Sequence, residues 1–443
     1  MITSTLTEFI LSTDYNQIPG KVIEQTKLCF TDFLGVTLRG SETKSGIIAK
    51  NVVSEGNQST VIGHGKASAL EASLVNGISA HALDLDDGHR HAQIHPGACV
   101  IPAALSLCEF HKKSGKKFIS SIIVGYQVAI TLGMMVNPMH RNRGFHSTGT
   151  CGTLGAAAAA SKALDLDKDQ IINALGLAGT QAAGLLETDH CGSMGKHLHA
   201  GRAAQSGVLS ALLAQRGFTG AETILEGDEG FLNAMADINY KKIKCDMDIF
   251  KILEIYFKIY PVCRHLHSSI DAMLHIINEN NRDLEIEEIL DITVKTYKIA
   301  AEHDNYHPYT IEALKQSLPV SLAIAVLKKD LRLDNLNLNQ NSKEIEEISK
   351  KIFIEYSEDF DLLYPDKRPA TITINTKSRS YEKTIDLAYG EPENPLNKTD
   401  IIKKFSDLNP NIKIEVLRGI DNLESHKMND FMKTFNNQLN NNK

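Results

Sequence analysis

The sequence predicts a mainly α protein: a long helical region, a smaller α+β region, and a return to helix near the end. Three observations predict it. Apolar residues recur at helical spacing from Pro19 to about Leu38, and again through 69–82, 98–111, 116–135, 153–164, 168–186 and 202–216. Almost no strand pattern precedes residue 270, whereas LDITVKTYKIA (290–300) and ATITINTKSRSYEKTIDL (370–387) alternate in strand fashion. NPLNKTDIIKKFSDL (394–408) then reads as helix.

In chain order, the first strong helix carries Val22, Ile23, Cys29, Phe30, Phe33, Leu34 and Leu38 on its apolar positions. FISSIIVGYQVAITLGMMV (118–136) is the most apolar stretch, but Ser120, Ser121, Gly125, Gln127 and Thr131 interrupt it, so a buried helix is expected and not a membrane span. GTLGAAAAASKAL (152–164) opens on glycines and continues in alanine, the best helix former, which predicts close helix packing. Beyond 270, a hairpin is expected to turn near Lys377 to Ser380, with helices around 311–329 and 342–350 separated by the Asn-rich loop LDNLNLNQN. FNNQLNNNK reads as a frayed tail. The domains expected are residues 1–270 completed by 395–443, and an α+β domain of 271–394.

Length and charge narrow the function. At 443 residues the chain is too long for one compact core. A net charge of −7 argues against general affinity for nucleic acid or anionic membranes, so an anionic substrate needs a local basic pocket. Seven cysteines without a C-x-x-C pair fit a reduced cytoplasm. The start, MITSTLTEFILSTDYN, has no basic n-region, and no signal peptide is expected there.

Eleven of the 17 histidines fall in four clusters: 81/89/91/95 in HALDLDDGHRHAQIHPG, 140/146, 190/197/199 beside Lys196, and 265/267 beside Arg264. Each lies at a helix boundary or in a Gly-rich loop. One histidine at such a place is more often a cap or a satisfied core group; four clusters, with Lys or Arg among them, point to a basic pocket rich in groups titrating near pH 7. Such a pocket suits proton removal from a carbon beside a carboxylate, because Lys and Arg hold the enolate-like charge while His or a carboxylate takes the proton. A second proton carrier would assist departure of hydroxide or deliver a proton to the opposite face. The substrate expected is a di- or tricarboxylate.

A zinc reading competes, since His89, His91 and His95 with Asp84, Asp86 and Asp87 offer nitrogen and oxygen ligands, although H-E-x-x-H is absent. GHGKAS (63–68) lacks the glycine and the Ser or Thr of a phosphate loop, and neither G-x-G-x-x-G nor G-x-S-x-G occurs, so nucleotide binding and acyl-enzyme chemistry find no support.

Taken together and in order, five stretches resemble the MmgE/PrpD family: NGISAHALDLDDGHRHAQIHPGACVIPAALSL, GFHSTGTCGTLGAAAAASKALDL, GSMGKHLHAGRAAQSGVLSALLAQRGFTG, ILEGDEGFLNA and FKIYPVCRHLHSSIDA. They cover residues 76 to 272 almost continuously. That family includes 2-methylcitrate dehydratase, cis-aconitate decarboxylase and iminodisuccinate epimerase. The resemblance implies a large all-helical domain built from both chain ends, a smaller inserted α+β lid domain, a homodimer, and no iron–sulfur cluster, metal or other cofactor. Carried over by motif, it implies Asp84, His95, His146, Lys196 and Lys258 as catalytic residues, and Arg90, His91, His199, Arg264 and His265 are the expected substrate-binding neighbours. His89 and His91 otherwise read as solvated loop residues. The decarboxylase-like branch has Thr where this chain has Gly88, and Tyr where SLPVSLA places Val320. The expectation is therefore a cofactor-independent hydro-lyase acting on a di- or tricarboxylate, with an epimerase as runner-up and a decarboxylase as a further alternative. The non-enzyme rival is a carboxylate-binding helical dimer.

Overall fold

A computed structural model describes residues 1–238, 245–280, 284–337 and 342–441. It is mainly α, and it divides into two units, one of Met1–Leu186, Gly195–Tyr256 and Asn397–Lys443, the other of Glu187–Met194 and Phe257–Leu396. Residues 338–341 of the Asn-rich loop and the last two residues of the expected tail lie outside the described residues.

The first unit is a bundle whose centre is the helix Ser147–Ala163, packed against Gly115–Val136, Gly97–Phe110 and Gly195–Gln215. Ala156 to Ala160 are fully buried there, so the alanine run forms a smooth surface on which neighbouring helices approach closely. Gly115–Val136 is long and apolar enough to cross a membrane, but 89% of its apolar window is buried inside the protein, as its interrupting polar residues predict. The helix Ala69–His81 starts at a capping box: the Ser68 hydroxyl accepts from the Glu71 N–H, and the Glu71 carboxylate accepts from the Ser68 N–H.

Two helices begin earlier than the apolar spacing indicates, at Ser147 instead of 153 and at Gly195 instead of 202. Their first turns carry polar residues that an apolar pattern does not register. Before residue 270, where almost no strand pattern is legible, the described residues hold one short strand pair. β1 (Ser59–Val61) and β2 (Gly65–Ala67) form an antiparallel pair too short to show a period. Glu109 holds it, accepting from the Thr60 N–H at 2.7 Å, the Thr60 hydroxyl at 2.9 Å and Lys66 Nζ at 2.8 Å.

The C-terminal segment completes this unit. Lys398–Leu408 opens on a capping box from Asn397 and Asp400, and the buried Lys404 donates to Asp32 Oδ1 at 2.6 Å and to the Leu85 carbonyl at 2.7 Å. The expected frayed tail is instead a helix, Met428–Asn440, because Phe431, Met432, Phe435 and Leu439 give it an apolar stripe that buries.

The second unit is built on a four-stranded sheet of order β4-β3-β5-β6, with β3 at Ile289–Thr296, β4 at Ile352–Tyr356, β5 at Ala370–Thr376 and β6 at Ser380–Ile385. β3 runs parallel to β4 and antiparallel to β5, and the β5–β6 hairpin turns where expected, with Asn375 opposite Ser380. Ile292, Val294, Ile372 and Ile374 point into its core, which the helices His267–Glu279 and Leu318–Lys328 help to form. The helix expected over 311–329 is broken between Leu314 and Leu318, ahead of Pro319. Beyond Glu187–Met194, this unit takes up the chain at Phe257, ahead of 271, because Tyr260, Val262, Leu266 and Ile270 pack into the same core.

Candidate active site

The loop from His81 to Gly97 is held in the first unit by backbone contacts as well as side chains. Helix Ala69–His81 ends at His81, and Asp84 follows with φ 54°, a left-handed conformation that Asp tolerates better than most residues. Gly88 pairs with Tyr256 through two backbone hydrogen bonds of 3.0 and 2.9 Å. A Cβ at Gly88 would lie 2.3 Å from the Tyr256 hydroxyl oxygen, so a larger residue there requires the Tyr256 ring to shift. Gly97 is needed for a similar reason. Its N–H donates to Asp87 Oδ1 at 3.0 Å, and a Cβ would meet that oxygen at 2.6 Å and the Tyr126 hydroxyl at 2.7 Å.

Asp87 is the buried post of the loop. Burial pushes its carboxyl up to about 7, against the pull of the Tyr126 hydroxyl donating at 2.6 Å and of the Gly97 N–H. Its backbone carbonyl accepts from His95 Nδ1 at 2.8 Å, while the His95 N–H donates to Thr148 Oγ1 at 3.1 Å. Since a carbonyl can only accept, Nδ1 carries the proton, and the neutral ring keeps its lone pair on Nε2, the arrangement a proton carrier needs.

Around this ring stand the other candidates. Asp86 Oδ2 accepts from His81 Nδ1 at 2.8 Å and lies 3.5 Å from His95 Nδ1. The His81 ring is 5.0 Å from His95 and 5.9 Å from His146, centroid to centroid. His146 is the N-cap of Ser147–Ala163, and its Nδ1 is 2.9 Å from Nδ1 of His199, so one proton is shared between two imidazoles. Burial holds the His146 imidazole well below its usual range, and His81, His199, Lys196 and His95 add to the effect. Lys196, in the first turn of Gly195–Gln215, sits 3.3 Å from Asp84 Oδ1, and both side chains are largely buried. Lys196, His197 and His199 thus share one helix start, where the dipole favours an anion.

Four of the five expected catalytic residues, Asp84, His95, His146 and Lys196, therefore belong to the first unit, as does His199. Arg90 Nε donates to His91 Nε2 at 3.3 Å, and both stand a few residues before His95 in the same loop. His89 is not a solvated loop residue: it is fully buried, its Nδ1 accepts from the Ala92 N–H at 3.1 Å and its Nε2 donates to Glu254 at 2.9 Å. Burial lowers its pKa. Burial also pushes Glu254 up, but the His89 and Lys251 hydrogen bonds outweigh it and bring the carboxyl down to about 2. His140 is set apart, its Nε2 paired with Thr150 Oγ1 at 3.0 Å between the Phe145 and Phe231 rings.

Lys258, Arg264 and His265 belong to the second unit. Lys258 is fully buried. Arg264, expected to bind substrate, makes bracing contacts: Nε donates to Glu391 Oε1 at 3.0 Å, and Nη1 to the carbonyls of Phe257 at 3.3 Å and Tyr389 at 3.2 Å. A guanidinium with its donors so engaged fixes the backbone around it. His265 Nδ1 pairs with the Tyr297 hydroxyl at 2.6 Å.

Sequence reasoning did not single out His81, Tyr256 or the pairing of Asp86 with His81. The signal for the last was present: a His closing a helix and an Asp five residues on, across a tight turn. His81, Asp86 and His95 bring ligand-capable atoms within 4.8 Å of one another. However, an ionised Asp86 makes His81 Nδ1 a donor, and the carbonyl of Asp87 does the same for His95 Nδ1. Both Nδ1 nitrogens are thus engaged as donors, each neutral ring keeps its lone pair on Nε2, and the described contacts of the trio are those of a hydrogen-bonded cluster.

Comparison with known proteins adds to this geometry. The MmgE/PrpD N-terminal domain profile matches residues 4–244 and the MmgE/PrpD C-terminal domain profile residues 260–415. The cis-aconitate decarboxylase of Homo sapiens is 26% identical, over 91% of this chain and 87% of its own length. That of Mus musculus is 26% identical over 91% and 86%, and that of Aspergillus terreus 25% over 81% and 79%.

Proposed function

The chain belongs to the MmgE/PrpD family, and from that premise we propose that it is a lyase acting on a di- or tricarboxylate by proton transfer at a carbon beside a carboxylate. The observation that carries this reading is the row of imidazoles, His95, His81, His146 and His199, beside the Lys196–Asp84 pair in one unit. A binding protein needs fixed positive charge and has little use for rings that exchange protons near neutrality. The specific reaction proposed is loss of water. It needs one unprotonated group to accept the carbon-bound proton and one protonated group to assist the leaving hydroxide, and a neutral His146 beside a carboxylate-backed His95 supplies that pair. Lys196, and by family resemblance Lys258, would hold carboxylates or the enolate, and the working form would be a homodimer.

Decarboxylation is the second reading, favoured by the activity named for the human, mouse and Aspergillus relatives. Gly88 and the Tyr256 hydroxyl that fills its side-chain space speak against it. Incubating the protein in deuterated water with hydroxylated and unsaturated di- and tricarboxylates, followed by NMR, separates the outcomes. Exchange with water loss is expected. Release of carbon dioxide selects the second reading, inversion without loss an epimerase, and no exchange on any substrate removes the lyase.

A further inference from the structure

The first unit contains a buried His–Asp–His trio that the reaction as drawn uses only at one end. His81 is fully buried, its Nδ1 is bound to Asp86 Oδ2, and its Nε2 has no hydrogen-bond partner among the described residues. We propose that His81 and Asp86 are positioning residues that gather the site's exchangeable positive charge on the rings around Asp86, where His95 can donate a proton, and so leave His146 free to accept one.

Three features of the fold carry this. Asp86 Oδ2 faces both His81 Nδ1 at 2.8 Å and His95 Nδ1 at 3.5 Å, so a proton added to either ring meets a negative partner. His146 faces His199 and Lys196, and the charged and titratable groups that act on its ring are His81, His199, Lys196 and His95. Helix ends agree with the charges: His81 is the last residue of Ala69–His81, where the dipole favours a cation, and His146 caps the start of Ser147–Ala163, where it disfavours one. His95 also precedes a helix, Gly97–Phe110, but the Asp87 carboxylate covers that end by accepting from the Gly97 N–H. The remaining charged groups nearby are internally paired, Lys196 with Asp84 and Asp32 with Lys404, and His197 Nδ1 pairs with Ser45 Oγ at 3.1 Å. Rings 5.0 to 5.9 Å apart repel when both are cationic, so protons enter the row one at a time.

In the dehydration, the C–H bond breaks towards His146 and its electron pair forms the carbon–carbon double bond. The C–O bond breaks, and the hydroxide leaves as water with the proton of His95. The net change on the protein is one proton moved from His95 to His146, returned through solvent. This direction rests on the lyase reading; the order of protonation is a property of the free protein.

The test is a pH titration of the intact protein labelled with 15N-histidine, reading each ring's protonation by long-range correlation NMR and assigning rings from His→Gln variants. On acidification His95 should become cationic first, with His146 still neutral. Asp86→Asn, equal in size and uncharged, should lower the His95 midpoint by about one to three pH units and move the alkaline limb of any rate profile with it. A role in folding alone would leave both in place. His146 protonating before His95 in the wild type overturns the proposal, and that measurement stands even if Asp86→Asn does not fold. An unmoved His95 midpoint in a folded Asp86→Asn protein overturns it as well. If no polycarboxylate reacts, the lyase reading fails while the spectra still decide the proton order.

Discussion

His95 is the residue on which the catalytic reading concentrates, because its backbone, its Nδ1 proton and its ring orientation are all set by neighbours: Thr148, the Asp87 carbonyl and Asp86. His95→Gln keeps a hydrogen-bonding side chain and removes the titration. The expected outcome is a folded protein, a severe fall in turnover and the loss of one limb from any residual pH profile; full activity with an unchanged profile would remove His95 from the chemistry. Lys196 contributes charge at a helix start already partly neutralised by Asp84. Lys196→Ala should lower kcat/KM by roughly tenfold to a hundredfold, and Lys196→Arg by less, since a charge-assisted contact contributes about 1.5–3 kcal/mol. His140 offers a prediction on stability. Burial brings its pKa from 6.5 to about 4, so between those values the unfolded chain binds a proton that the folded protein refuses. Its stabilising contribution is complete above about pH 6.5 and is lost as pH falls towards 4, amounting to about 3 kcal/mol for the whole shift. The urea midpoint of His140→Gln should therefore fall less than that of the wild type between pH 7 and 5.

At the scale of elements, the loop 82–96 depends on a helix far away in sequence. Lys404, on Lys398–Leu408, holds both Asp32 and the Leu85 carbonyl, between Asp84 and Asp86 of the candidate site. Lys404→Met preserves the apolar stem but leaves Asp32 as an unpaired buried group. A loss of about 3–5 kcal/mol in urea unfolding is expected, and Asp32→Leu in the same chain should recover part of it. If the single variant is as stable as the wild type, the contact does not hold the loop. The same scale explains which elements were legible. Gly20–Gly40 and Gly115–Val136 show strong apolar periods and sit where expected. Ser147–Ala163 and Gly195–Gln215 were legible only in their apolar C-terminal parts, since their first turns are occupied by His146-adjacent and Lys196-bearing segments selected for polarity.

For the whole molecule, the first unit is closed by residues 397–443. Phe405, Phe431, Met432, Phe435 and Leu439 are all buried, so a chain ending at Leu396 exposes a broad apolar face. That truncation should abolish soluble expression or leave a protein without cooperative unfolding. The segment 257–396 has its own sheet and core, and expressed alone it should retain the circular dichroism of a mixed α+β fold. A truncated chain that folds and unfolds as cooperatively as the full one would show that the C-terminal helices are accessory.

The sequence by itself determined the mainly α class, the change to strands beyond residue 289, the family, and the loops that carry titratable residues, because all of these depend on local period, composition or motif. Only the tertiary structure decided which of those residues meet. His89 and His95 lie six residues apart in one loop, yet the first is bound to Glu254 and the second to Asp87 and Asp86. Arg264 carries the charge of a substrate ligand, but Glu391 and three backbone carbonyls use its donors. A side chain's role follows from what surrounds it in space, and here the decisive neighbours are up to 165 residues away along the chain.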